Sequence, residues 1–188
     1  MIEVLDTGAT KIEKVNAILS SFGNGSAAFQ AVGAAMKRAA DSAKTQAGKY
    51  ASDNYNITKS GFTSHVRITN DMKGGSAGVT SVELSFYGSV IRLMEFHPRF
   101  ASGGGVSVSV KKGGGGSIHK AFIPTMRSGM GVYERVGKAR LPIAQKYGPS
   151  TAHMMQNENV VEAMSQHIEE VFEDRIEHEI NRILSNYT

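Results

Sequence analysis

Toward the C-terminus, apolar residues recur every three or four positions: Val161, Met164, Ile168, Val171 with Phe172, Ile176, Ile180, and Ile183 with Leu184. That spacing puts them on one face of an α-helix and predicts a helix over 157–185. At 1.5 Å per residue such a helix is a rod roughly 40 Å long, about the diameter of a whole domain of this size.

A second rod is expected near the other end. Phe29, Val32, Met36, Ala39 with Ala40, Ala43, Ala47 and Tyr50 keep the same period, giving a helix over 26–52 with Ser26 as its N-cap. Its inward face is rich in Ala, so another helix or a sheet can approach closely. A shorter period at Ile12, Val15, Ile18 and Leu19 predicts a helix over 8–21, ended by Gly23-Asn24-Gly25.

Between the rods the period changes from about 3.6 to 2. Segments 65–69, 79–87, 106–111 and 118–123 read as strands, with Val106, Val108 and Val110 the cleanest alternation. Gly103-Gly104-Gly105 and Gly113 to Gly116 bracket the third strand, which makes 106–123 a hairpin. Thr58-Lys59-Ser60-Gly61 suits one or two helical turns. Helices, then strands, then a final helix imply an α+β fold rather than alternating βα units. The expected architecture is one domain over 1–188. N-terminal helices occupy 8–52, the sheet region 57–123, an irregular basic segment 124–155 and the last helix 157–185. About four mostly antiparallel strands form one sheet against the long helices.

Composition narrows the chemistry. The chain has 188 residues and no cysteine, which excludes thiolate catalysis, Cys-bound zinc and disulfides. No apolar run is long enough to span a membrane, and the first ten residues do not read as a signal peptide, so folding in a reducing cytoplasm is expected. The net charge of +4 is unevenly spread: residues 156–188 hold eight acids against two arginines, a net −6, leaving +10 for the rest. Residues 111–146 hold eight basic residues against Glu134, a net +7. Such a split marks either two solvated faces or a surface that meets a charged partner.

Motifs for catalysis and cofactors are weak. Gly113 to Gly116 precedes a strand, not the helix that a phosphate loop needs. Gly48-Lys49 and Gly137-Lys138 lack a glycine five positions earlier, where Ala43 and Val132 stand, and neither lysine is followed by Ser or Thr. His178-Glu179 starts like a zinc-protease motif, but Arg182 occupies the position of the second histidine. Glu170, Asp174 and His178 share a helix face, which suits a weak cation site or a solvated acidic stripe. His65, His97, His119 and His153 are scattered. No enzyme activity, cofactor or metal is expected. The basic residues Lys111, Lys112, Lys120, Arg127, Arg135, Lys138, Arg140 and Lys146 suit DNA phosphates or an acidic protein surface. Only Phe122, Tyr133 and Tyr147 interleave them, too few for base stacking.

The most specific stretch runs from Gly131 through Tyr133, Glu134 and Arg135, then Arg140-Leu141-Pro142-Ile143, to Gly148-Pro149-Ser150. It resembles the prophage minor tail protein Z family of lambda-like phages. The likeness extends upstream through Tyr55–Ile57, Val66–Ile68, Leu93–Phe96, Gly105–Lys112 and Ala121–Ile123 with Ser128-Gly129. It covers about residues 25–155 well and the terminal helices loosely. The resemblance implies a structural virion protein at the head-proximal end of a long tail, completing the tail or connecting it to the head. It also looks distantly like neck and tail-completion proteins, which share an α+β fold and form rings. The family offers no catalytic residues to carry over. Its implied partners are other tail or neck proteins and further copies of itself, with DNA contact left open.

Read from its residues alone, the same stretch suggests a docking surface. Arg140, Leu141, Pro142, Ile143, Tyr147 and Pro149 combine apolar anchors, an arginine and an aromatic in a loop stiffened by prolines, a mix enriched at interface hot spots. The alternative is a loop whose apolar residues pack on its own domain. A nucleic-acid-binding module using 111–146 is the competing functional class.

Overall fold

The computed structural model describes residues 3, 4, 13, 17, 25–75, 78–127 and 129–185. Helix and strand are mixed, with a long helix in each end region. The chain divides into two compact units that interleave in sequence. One comprises Met1–Gln46, Arg67–Tyr87 and Met155–Thr188; the other comprises Ala47–Val66 and Gly88–Met154. The helix expected over 8–21 lies outside the described residues except for Glu13 and Ala17.

The first unit is built on the two rods. Helix α1 spans Gly25–Asn54, its first part lying in this unit, and helix α4 spans Glu158–Leu184. Both extend close to the ranges that periodicity predicts. Ser26 stands inside α1 rather than capping it, because the helix already includes Gly25. The α4 cap is Asn157, whose side chain accepts a hydrogen bond from the Asn159 amide at 3.1 Å. Ala31, Val32, Ala35 and Met36 of α1 are fully buried against Ile176 and Ile183 of α4, with Ile168, Phe172, Ile180 and Ile68 packed around them.

The sheet of this unit has the order β1-β3-β2, with β1 at Glu3–Val4, β2 at Val66–Gly75 and β3 at Gly78–Gly88. Strand β2 continues through Asn70–Gly75, beyond the 65–69 that alternation predicts, because ladder hydrogen bonds do not depend on polar or apolar side chains.

The second unit holds small sheets in place of a single four-stranded one, and here the expectation fails. Strands β4 (Val90–Arg92), β5 (Arg99–Phe100), β6 (Val106–Val108), β7 (Gly116–Ile118) and β8 (Ala121–Phe122) are two or three residues long. The segment 118–123 breaks at His119-Lys120, so β7 pairs with β6 while β8 joins another sheet. The region 124–155, expected to be irregular, carries β9 (Thr125–Met126), β10 (Gly129–Met130), β11 (Tyr133–Arg135), β12 (Ile143–Gln145), β13 (Tyr147–Ser150) and the short helix α3 (Thr151–Met154). Strands this short show no period, which hides them from a sequence pattern.

Two expectations in this unit are met. The β6–β7 hairpin pairs Val106 with Ile118 and Val108 with Gly116. Gly105 leads into it at φ +87°, where a side chain would be strained and would strike the backbone of Ile118 and His119. The Thr58–Gly61 segment opens helix α2 (Lys59–Thr63), capped by the Thr58 hydroxyl, which accepts from the Gly61 amide at 3.0 Å. The unit's core gathers Phe62, Ile91, Phe96, Val106, Val132 and Met154, all essentially without solvent contact.

Candidate protein-docking surface

The last part of the basic stretch folds as a hairpin with an exposed end. Strand β11 pairs antiparallel with β12, Tyr133 opposite Gln145 and Arg135 opposite Ile143, and with β8 on its other side. Two further backbone bonds extend the ladder. Lys146 N–H donates to the Val132 carbonyl at 2.8 Å, and Val136 N–H donates to the Pro142 carbonyl at 3.1 Å. Buried Val132 and Tyr133 root the hairpin in its unit. At the free end every residue from 136 to 142 is exposed. Val136 and Leu141 are each 67% exposed despite being apolar. The Leu141–Pro142 peptide is cis.

The hairpin shaft carries a fixed polar arrangement. Lys146 Nζ lies 2.7 Å from Glu134 Oε2. Hydrogen bonding to that ammonium, with its charge, holds the Glu134 carboxyl below the usual carboxylate range. The Arg135 guanidinium sits 5.2 Å above the centre of the Phe122 ring, worth about 0.5–1 kcal/mol at an exposed site. Lys120, Arg135, Lys138 and His119 line a cleft of about 780 Å³ beside β8 and β11. Among the described residues, no carboxylate forms an ion pair with Lys120, Arg135, Lys138 or Arg140.

The six residues expected to form one docking surface separate. Arg140, Leu141 and Pro142 occupy the exposed tip, joined by Val136, which the sequence reading passed over. Ile143 sits half-buried in β12. Tyr147 and Pro149 belong to β13, which pairs with β4: Tyr147 lies opposite Arg92, and Ser150 opposite Val90. Val90, Arg92 and Tyr147 are exposed along that pair, so Tyr147 contributes to a second patch. The division follows from backbone pairing, since β12 and β13 bond different neighbours although only Lys146 separates them.

Gly148-Pro149-Ser150 has local reasons for its residues. A Cβ on Gly148 would approach the Phe96 ring to 2.6 Å, so glycine lets the ring close over the strand. The Ser150 hydroxyl accepts from the His153 amide at 3.1 Å and starts α3. Two other apolar exposures escaped the sequence reading. Phe100 on β5 is 74% exposed, and Met126 and Met130 flank the β9–β10 turn beside Arg127. A single aromatic or methionine between polar residues gives no periodic signal, though Val136 between Arg135 and Lys138 is visible as an apolar residue in a basic run.

One polar constellation in the helical unit also went unseen. Ser42 Oγ of α1 and His167 Nε2 of α4 are 2.8 Å apart, although 125 residues separate them. Among the described residues no carboxylate hydrogen-bonds His167, and the amide of Ser42 lies inside a helix, unable to serve an oxyanion. The pair acts as a tie between two helices. Among the described residues no group of three His, Asp or Glu is placed to hold a metal ion, and no helix is long and apolar enough to cross a membrane. No protein-family model, no curated protein and no solved structure matches the chain.

Proposed function

We propose that this chain is a structural component of a tailed-phage particle, a head-proximal minor tail protein that completes the tail or connects it to the head. It works by protein–protein contact rather than catalysis. It folds in the host cytoplasm and takes its place in the virion tail among other tail or neck proteins, with further copies of itself beside it.

The observation that carries this reading is the hairpin tip. Val136 and Leu141 hold two-thirds of their surface in water beside Lys138, Arg140 and Pro142. Each stands to gain about 1.5–3 kcal/mol on full burial, so a partner that covers them has a driving force. The cations around them steer the encounter. The sequence resemblance in Gly131–Ser150 supplies the kind of particle.

A tail-assembly assay beside a melting curve tests the reading. Leu141→Ala with Arg140→Ala removes exposed groups and is expected to shift stability by no more than about 0.5 kcal/mol. The same variant is expected to fail to enter tails. Normal incorporation by the folded variant overturns the reading. Tyr147→Ala with Arg92→Ala probes the second patch separately.

The second reading, contact with nucleic-acid phosphates, draws on the cleft lined by His119, Lys120, Arg135 and Lys138. It predicts that the isolated chain binds duplex DNA with an affinity falling steeply with salt.

A further inference from the structure

We propose that the hairpin tip of one copy seats in the groove between α1 and α4 of a second copy. This names the partner of the docking surface and rests on the reading above. The groove belongs to the helical unit and encloses about 570 Å³. Asp41 of α1 and Glu170 and Asp174 of α4 line it, with Val171 as an apolar contact. Arg38 and Arg175 also line it, and Arg175 lies 3.8 Å from Asp174. Among the described residues Asp41 and Glu170 form no ion pair, so both can receive a cation from outside.

The two surfaces are opposite in sign: three carboxylates outnumber two arginines in the groove, and the tip carries Lys138 and Arg140. Glu170, Asp174 and Glu177 are exposed at spacings of four and three on α4, where like charges repel one another. Lys138 and Arg140, among the described residues, have no carboxylate partner. An arginine fork on Glu170 satisfies both, and Leu141 then meets Val171. The acids around the groove repel a nucleic-acid backbone, so a protein tip is the occupant that the charge favours. Tip and groove are different surfaces, so the contact is head-to-tail. Repetition closes a ring or extends a filament, depending on the rotation between copies. A seven-residue tip buries less than the ~800 Å² per partner of a standard interface, which makes the single contact weak and assembly dependent on concentration.

The absence of cysteine makes the test clean, because each introduced thiol is the only one in its chain. Full-length L141C and T45C chains are mixed and treated with a short bismaleimide crosslinker; Thr45 lines the groove and is exposed, and Glu170 is left in place. S102C, at another exposed position, replaces T45C as the control. The expected result is a crosslinked pair from L141C with T45C well above the control. It should be lost on adding K138E and R140E, and lost in roughly 1 M salt, where the Debye length is about 3 Å. Crosslinking no stronger than the control, or unchanged by charge reversal and salt, overturns the proposal. Its failure is separable from that of the tail reading. If tip variants block tail incorporation while the crosslink is absent, the tip docks on a different tail protein and only the second-copy proposal falls. If the crosslink forms and tip variants incorporate normally, self-association stands and the tail reading falls.

Discussion

In the helical unit, apolar side chains repeat every three or four residues and turn inward together. In the other unit, strands of two to four residues leave Val90, Phe100, Met130, Val136 and Leu141 more than half exposed. A three-residue strand points at most two side chains to one face, so apolar residues not aimed at this unit's core of Phe62, Ile91, Phe96 and Val106 stand in water. Its surplus apolar residues end on hairpin tips and sheet faces. The long helices store stability in one continuous seam. The short strands store it in a few large anchors and leave binding surface over.

If that contrast holds, the anchors of the strand-rich unit are individually costly to lose. Phe62 of α2 is fully buried there. Phe62→Ala is expected to cost about 3–5 kcal/mol, since little of the surrounding structure can collapse into the space. Chemical denaturation measures it, and a cost below about 1 kcal/mol would show an adaptable core, blurring the contrast.

In the helical unit a single polar tie is expected to matter less, because the seam holds without it. Ser42→Ala removes the hydroxyl facing His167 and is expected to cost about 1 kcal/mol by the same measurement. A much larger loss would show that the tie, and not the seam, sets the helix pairing.

The smallest effect belongs to the exposed hairpin shaft. Lys146 lowers the pKa of Glu134 in the folded chain by hydrogen bonding and charge, so the pair favours folding at neutral pH. A carboxyl depressed on folding contributes above its unfolded value, and the contribution is lost as pH falls through the folded value. Glu134→Gln is therefore expected to lower the melting temperature slightly at pH 7. The difference from the unsubstituted chain should vanish in acid, once both forms lack the charge. A difference that persists unchanged in acid would show that the effect is steric.

Much of the helical unit was legible before folding. The apolar period located α1 and α4 to within a few residues, because a buried helix face and a 3.6-residue repeat are the same fact. The β6–β7 hairpin was legible because two glycine runs bracket an alternating segment. The sheet was not. Segment 65–69 from Arg67 onward and segment 79–87 joined the helical unit, while 106–111 and 118–123 went to the other, and no local pattern states which strands share a sheet. The expected docking loop was half legible: Arg140, Leu141 and Pro142 share a tip, but Tyr147 stands across from Arg92.

By itself, then, the sequence determined the two rods, the hairpin between glycine runs, the charge split and the basic apolar stretch. Each follows from side chains within a dozen positions of one another, or from simple summation. Tertiary structure alone decided that Ser42 meets His167, that Val136 joins Leu141 at a free end, and that Asp41 and Glu170 line one groove. Those juxtapositions depend on backbone pairing and helix packing between distant segments, and such long-range contacts leave no periodic trace in the residues that make them.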